Sequence, residues 1–539
     1  MRKILSQVSS DKSFRRVSFF IFFAIVTAGM FTACSTKAVD VREVLPGDAL
    51  VYLEAKDLGA AVSAMTESNA FQQAAKSVPD LSPLREMEFG VAVTGFQTKE
   101  ESITAENSVL NFQPMFVAAV ETRLWNFQAI GFVEQELGLF ISEAYGGEAV
   151  LETSEKHDGS YFVWTAQDGR KAYALVIDSL ILFGNDESSL EKCLAVKRGE
   201  VDSVAKNPKI AKSDRLAFGY VSPDGVAQIS NIAGLSLAKN ASEDAEVQSF
   251  IARVLPELLR GTLKEVTWTA QKTEEGIEDR YQIDASDEAA RVFNETLRSV
   301  GTNLDGVEPF LMRSFESVTR YDLRDAQVAW RSVLLTASKS ADPVAGQFIT
   351  AFADSIFEPY GIENAELFLS AVGNRLITAR FDAEGEKQIV IADVKKLDDV
   401  KRSLAKELGV EKPPERVLDA DVWRSEDGDI VLIVVDGKIV LGDQMSALSC
   451  LEAYRQSRDQ SQADLLKRIA SSNAPAVTVG WESGVADLVA DVIADKKQEN
   501  QSTRSTYMVE TRFNPKGIER RTVSALGFMG IIASQFAAD

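Results

Sequence analysis

The chain of 539 residues carries 58 Lys and Arg against 80 Asp and Glu, a formal net charge of −22. Such a surface repels polyanions beyond a Debye length, which argues against nucleic acid and anionic lipid headgroups as partners. One His and three Cys leave little material for imidazole or thiolate chemistry, and the length is that of two to four domains.

The first predicted element is an address. Arg2, Lys3, Lys12, Arg15 and Arg16 precede the apolar run 19–26, and the segment closes on Phe31-Thr32-Ala33-Cys34-Ser35, small residues leading into Cys. These residues resemble the lipobox of bacterial lipoproteins, with Phe31 where Leu is usual. The resemblance implies removal of residues 1–33 as a signal peptide and diacylation of Cys34. It also implies an exported protein, anchored to a bacterial membrane and facing the periplasm or the cell surface. Ordinary secretion and an uncleaved anchor are the other readings of the segment. Arg15-Arg16 is similar to a twin-arginine signal, but the run behind it is very apolar and reads as general secretion. Loss of this +4 segment leaves a charge of about −26. Residues 34–44 read as the lipidated Cys and a short polar tether, which spans at most roughly 35 Å.

Leu45-Pro46-Gly47-Asp48 is a turn signal, followed by a strand over 49–55 and by Asp57 as the cap of a helix through Ala60, Val62, Met65 and Phe71. The second half opens in the same way, with a strand over 318–323, Asp325, and a helix through Val328, Trp330 and Leu334. This Leu-Pro-x-Asp opening with strand and helix, behind an export signal and in a chain of two similar halves, resembles an uncharacterised bacterial domain-of-unknown-function family of exported envelope proteins. The resemblance brings no active residues. Next come apolar strands at 116–121 and 389–394, each followed by a helical pattern, through Phe127 to Leu137 in one half and through Val400, Leu404 and Leu408 in the other.

The strongest signal follows. Val163-Trp164-Thr165-Ala166-Gln167-Asp168-Gly169 returns as Val422-Trp423-Arg424-Ser425-Glu426-Asp427-Gly428, and behind each lies a hairpin of two apolar strands, turning at Asp178-Ser179 and at Asp436-Gly437. Two central residues of these types suit a type I′ turn. Strands apolar at nearly every position belong in a sheet covered on both faces or packed against helices and the partner half. Each hairpin leads into a helix, capped by Asn185 or Asp186 and by Asp443 and carrying Cys193 and Cys450. Phe218-Gly219-Tyr220 is echoed by Val479-Gly480-Trp481, and Gly276 to Arg280 by Gly517 to Arg521. The last apolar stretch, 525–538, is too short to cross a membrane and matches the helical place of 285–300.

These echoes predict an α+β protein made by tandem duplication, with halves at 45–303 and 304–539 that meet near Gly301–Gly306. Each half is expected to be a mainly antiparallel sheet with helices largely on one side, related to the other by a pseudo-twofold. No Pro-, Ser- or Gly-rich linker separates them, so they should pack and not swing.

For chemistry, the sequence offers little. His157 stands beside Asp158-Gly159, a turn signal, and reads as an exposed turn residue. Nucleophile-elbow, zinc, P-loop and dinucleotide motifs do not occur, so no catalytic residue, cofactor or metal site is assigned. Asp419, Asp421, Asp427 and Asp429 read as a solvated hairpin end, with a hard cation as the minor reading. Cys193 and Cys450 read as buried small hydrophobes, with a bridge between halves as the alternative. Glu278 with Arg280 and Glu519 with Arg521 are spaced to share a strand face, as a charge-paired sheet surface or as a clamp for a ligand carboxylate. Trp164 and Trp423 read as core, or as the lining of an apolar groove. The leading expectation is a membrane-tethered envelope lipoprotein that binds or scaffolds an envelope protein partner. A carrier of a small amphipathic or lipid ligand and a carboxylate-based hydrolase are the alternatives.

Overall fold

The computed structural model describes residues 38–102, 108–210, 214–241, 245–297, 299, 308–311, 315–339, 353, 356–456, 463–494 and 502–537. Cys34 and the junction at 301–306 lie outside the described residues. Runs with apolar residues at alternate or successive positions, separated by turns, give strands here as expected. In the first half these are β1 (Val51–Ala55), β2 (Glu88–Ser102), β3 (Ser108–Glu121), β4 (Val150–Lys156), β5 (Gly159–Thr165), β6 (Lys171–Ile177), β7 (Leu180–Gly184), β8 (Ala217–Val221), β9 (Leu263–Thr273) and β10 (Gly276–Ala285). In the second they are β11 (Ser317–Asp322), β12 (Val372–Arg380), β13 (Gln388–Val394), β14 (Glu415–Val417), β15 (Ala420–Arg424), β16 (Ile430–Val435), β17 (Lys438–Asp443), β18 (Ala476–Ser483), β19 (Arg504–Asn514) and β20 (Gly517–Ser524).

Each half pairs its strands in one order. The first runs β4-β5-β6-β7-β3-β2-β1-β8-β9-β10, antiparallel throughout. The second runs β14-β15-β16-β17-β13-β12-β11-β18-β19-β20 in the same sense. The two join edge to edge where β10 pairs with β20, so the 20 strands form one sheet. In that pairing Arg280 lies opposite Arg521, Glu278 opposite Val523, and Gln282 opposite Glu519. Arg280 and Arg521 hold the same place in the two echoing strands, so a local twofold passes between them. The protein is an α+β fold on an antiparallel sheet.

Helices cover both faces, which corrects the expectation that they lie largely on one side. Against one face of β5–β7 the helix Glu187–Lys197 packs Leu190, Cys193 and Leu194 onto Tyr161, Leu175 and Leu182. Against the other, the helices Asn126–Phe132 and Gly138–Ala144 bring Ala129 and Ile141 onto Phe162, Trp164, Ala174 and Val176. Successive strand residues point to opposite faces, so β6, apolar at both parities, needs a cover on each. The helix Gln444–Gln456 repeats this on one face of β15–β17, with Cys450 in its core. Cys193 and Cys450 are buried in separate clusters and form no disulfide with each other, so the alternative of a bridge is overturned.

The halves interlock across the seam. The helix Asp287–Thr296 of the first half packs on Ala329, Phe513 and Ile518 of the second. The helices Val485–Ile493 and Gly527–Ser534 of the second pack on Ala61, Met65, Phe71 and Trp268 of the first.

Three local expectations change. The tether is shorter than 34–44, because Val41, Val44 and Leu45 enter the core around a short 3-10 turn, Val41–Glu43, with Val41 only 3% exposed. The first helix stops at Thr66, and Ser68 caps a second one, Asn69–Ala74, by accepting a hydrogen bond from the Phe71 N–H. The helix predicted through Leu408 likewise ends at Arg402 and gives way to a 3-10 turn, Lys406–Leu408.

The hairpin turns also differ in detail. Asp436 and Gly437 both have positive φ, +48° and +75°, as a type I′ turn requires, whereas in the first half Asp178 has φ +55° and Ser179 is not among the positive-φ residues. The first hairpin thus departs from type I′, and the strain of a positive φ sits on Asp178. At the next turn His157 and Asp158 carry the positive angles and Gly159 already belongs to β5. Gly159 is needed for close approach, since a Cβ there would lie 2.2 Å from the Val176 carbonyl oxygen. Gly437→Val should destabilise by roughly 1 to 3 kcal/mol through its backbone angle, because no neighbouring atom lies within 4 Å of the added Cβ. Ser179→Gly should bring no gain, and Asp178→Gly should firm the first hairpin. Thermal melts of the three variants check this, and a normal melt for Gly437→Val would refute the assigned turn.

Candidate functional site

The seam holds the charged residues that the sequence singles out. Two arginines side by side on the twofold repel unless an acid lies between them. Glu278, 3% exposed, supplies it: one carboxylate oxygen accepts from Arg280 Nε at 2.6 Å and from Gln271 Nε2 at 2.7 Å, the other from Arg521 Nε at 2.6 Å. Burial alone would raise the Glu278 carboxyl, but the two arginines outweigh it and hold it below the ordinary range. Arg521 Nη1 continues to Glu510 Oε2 at 3.2 Å, and Glu510 also accepts from Arg512 at 3.2 Å and from the Ser472 hydroxyl.

The two expected pairs are therefore not repeated. Glu278 serves both Arg280 and Arg521, and the second acid of the network is Glu510 on β19, which no sequence signal marked. Glu519 stands opposite Gln282 and Arg512 in the register. With both oxygens of Glu278 accepting from protein donors, two of them arginines on paired strands of the two halves, this cluster is a charge-paired face of the sheet that joins the halves.

On the other face of β10, Asp279 is also buried. It accepts from Trp268 Nε1 at 2.8 Å and from the Phe528 N–H at 2.8 Å, in the first turn of the carboxy-terminal helix. Burial dominates over these two bonds and pushes its carboxyl up to about 6. Arg320 was missed by the sequence as well. It is fully buried and donates to the carbonyls of Ile469, Ser472 and Ala474 at 2.6, 2.7 and 3.2 Å, mooring the segment before β18.

Trp164 and Trp423 are core residues, 2% and 4% exposed, as the leading reading has them, and the alternative of groove lining falls away. Trp164 stacks on Phe162 beneath the helices after β3. Trp423 donates from Nε1 to the Lys412 carbonyl at 2.9 Å, with Lys401 Nζ 4.1 Å from its ring centre. The four aspartates divide between the two ends of β15. Asp421 pairs with Arg416 at 2.7 Å, and Asp427 accepts from the Ser425 hydroxyl and the Asp429 N–H. His157 lies in its turn 3.4 Å from Glu191.

The amino-terminal end of the described chain is moored to a buried acid. The Val39 N–H donates to Glu121 Oε2 at 3.2 Å, while Oε1 accepts from the Arg123 N–H at 3.0 Å. Glu121 closes the apolar run of β3, and that break in pattern was the available signal. Gly47 and Val204 then tie the following segment down, through Gly47 N–H to the Asp202 carbonyl at 2.7 Å and Val204 N–H to the Leu45 carbonyl at 3.0 Å.

No protein-family model matches the chain, and no curated protein matches its sequence. Solved structures of TP0453 in crystal forms III, I and IV are similar over part of it, at 12%, 10% and 9% identity. They cover 46%, 46% and 50% of this chain and 80%, 80% and 89% of theirs, with TM-scores of 0.24, 0.23 and 0.25. Likeness at that level leaves the functional reading to this chain's own residues. Among the described residues, no helix is long and apolar enough to cross a membrane.

Proposed function

We propose that this protein is an exported bacterial lipoprotein, anchored through Cys34, that works by binding or scaffolding an envelope protein partner and not by catalysis. The observation that carries the reading is the mooring of Val39 on Glu121, five residues after Cys34. Five extended residues reach at most roughly 18 Å, about half of what a free 35–44 tether would allow. An acyl chain on Cys34 would then hold the body close to one membrane. From that anchor the helix-covered body follows the sheet, whose 20 strands at about 4.8 Å spacing give a strand-to-strand path on the order of 90 Å. The acidic surface suits a partner with a basic face.

Metabolic labelling with a palmitate analogue in a bacterial host tests the anchor. The wild-type chain should take the label and sediment with membranes, and Cys34→Ser should do neither. Label retained on Cys34→Ser would sink the lipoprotein reading. In-cell proximity crosslinking with mass spectrometry tests the scaffold, which fails if no envelope partner recurs.

A further inference from the structure

We infer that Trp125 and Phe127 form a seating point on the membrane beside the anchor, and that their occupant is the interfacial layer of a zwitterionic bilayer. Glu121 is the starting point, because it fixes two things at once. It receives the Val39 N–H, and with its other oxygen it sets the turn that leaves β3. Thr122 tightens that turn, donating to the Ser179 carbonyl at 2.8 Å and accepting from the Leu124 N–H at 3.2 Å. The Trp125 N–H then donates to Gln128 Oε1 at 3.1 Å, which starts the helix Asn126–Phe132. The aromatic pair is thus held on a rigid element.

That helix buries Ala129, with Val133 just beyond its end, yet Trp125 and Phe127 are 54% and 71% exposed. Four residues separate Glu121 from Trp125 and five separate Val39 from Cys34. By chain reach, with the Glu121 side chain between, the anchor and the aromatic pair lie within roughly 40 Å of each other. A membrane surface passing through Cys34 is within reach of both rings. Trp and Phe are the side chains that favour the headgroup boundary, where an apolar ring body and, for Trp, a polar N–H are both satisfied. The net charge of −22 disfavours anionic headgroups, which leaves zwitterionic lipid as the chemistry that fits.

This inference rests on the lipoprotein reading for the position of the bilayer, but the exposure of the two rings does not. The test uses the full lipidated protein reconstituted in phosphatidylcholine vesicles whose acyl chains carry bromine, a quencher of Trp emission. Of six Trp, Trp164, Trp268 and Trp423 are buried and Trp330 and Trp481 half-buried, so Trp125 is the exposed reporter. Bromolipid should quench the wild type, and Trp125→Phe should lose most of that quenching. Phe127→Ser should weaken the quenching of Trp125 while leaving the melt unchanged, because neither ring is part of a buried cluster. Equal quenching in wild type and Trp125→Phe, or none in either, overturns the proposal. Absence of quenching together with a dimer that Phe127→Ser abolishes would assign the patch to a second copy instead. Failure of the lipid anchor shows separately, as no palmitate-analogue label on the wild type or as label retained on Cys34→Ser.

Discussion

Glu278→Ala should destabilise the protein by about 2 kcal/mol, the loss of charge-assisted hydrogen bonds to a buried carboxylate whose arginine partners, 50% and 30% exposed, can turn to water. The loss is sharper than for a surface pair, because Glu278 is the acid between Arg280 and Arg521 and Gln271 also donates to it. Without it the two arginines of the twofold face each other directly. Arg280→Ala added to Glu278→Ala should therefore recover part of the loss, since it removes the repulsion. Urea unfolding at low and high salt measures both effects, with the single variant the more salt-sensitive of the two. A single variant that unfolds within about 0.5 kcal/mol of wild type would show that the seam does not depend on this acid.

Its neighbour should behave in the opposite sense towards pH. Asp279 rises from 3.8 to about 6 in the folded protein, which corresponds to about 3 kcal/mol. A carboxyl raised on folding binds its proton more tightly folded than unfolded. Its contribution is therefore fully present only well below 3.8 and is lost as pH rises through about 6. Glu278, held below its ordinary value, contributes above that value and loses its contribution as pH falls. Asp279→Asn keeps the shape and removes the titration. The stability of wild type relative to Asp279→Asn should increase by about 2 kcal/mol between pH 7 and pH 4. Parallel stability curves for the two proteins over that range would refute the assignment.

What could be read from the sequence was local. The echo of Val163–Gly169 in Val422–Gly428 marked β5 to β7 and β15 to β17, because strand periodicity and two-residue turns are written in neighbouring residues. Asp57, Asp186 and Asp443 were legible as helix caps for the same reason, and each accepts the expected backbone N–H. The seam was not legible, since β10 and β20 meet across some 240 residues and nothing near Arg280 names its partner. Glu510 escaped notice because its role exists only once β19 lies beside β20. Polar neighbours hid Val41 and Val44, and their burial depends on a surface assembled from β1 to β3. At His157-Asp158-Gly159 the turn signal was real but one residue out, because Gly159 is small for the sake of β6 and not for the turn.

The interlocked helices at the seam set an order of assembly. The amino-terminal half leaves the ribosome first, but its layer over Trp268, Ala270 and Ile277 includes Val489, Ile493, Leu526 and Met529, made among the last residues of the chain. Until they arrive, β10 has an open edge and Ala61, Met65 and Phe71 lack their cover. Contacts this distant in sequence close late and slowly. Until the helix Gly527–Ser534 docks on Asp279, the first half therefore exposes an apolar face and a sheet edge, the surfaces on which unfinished chains aggregate.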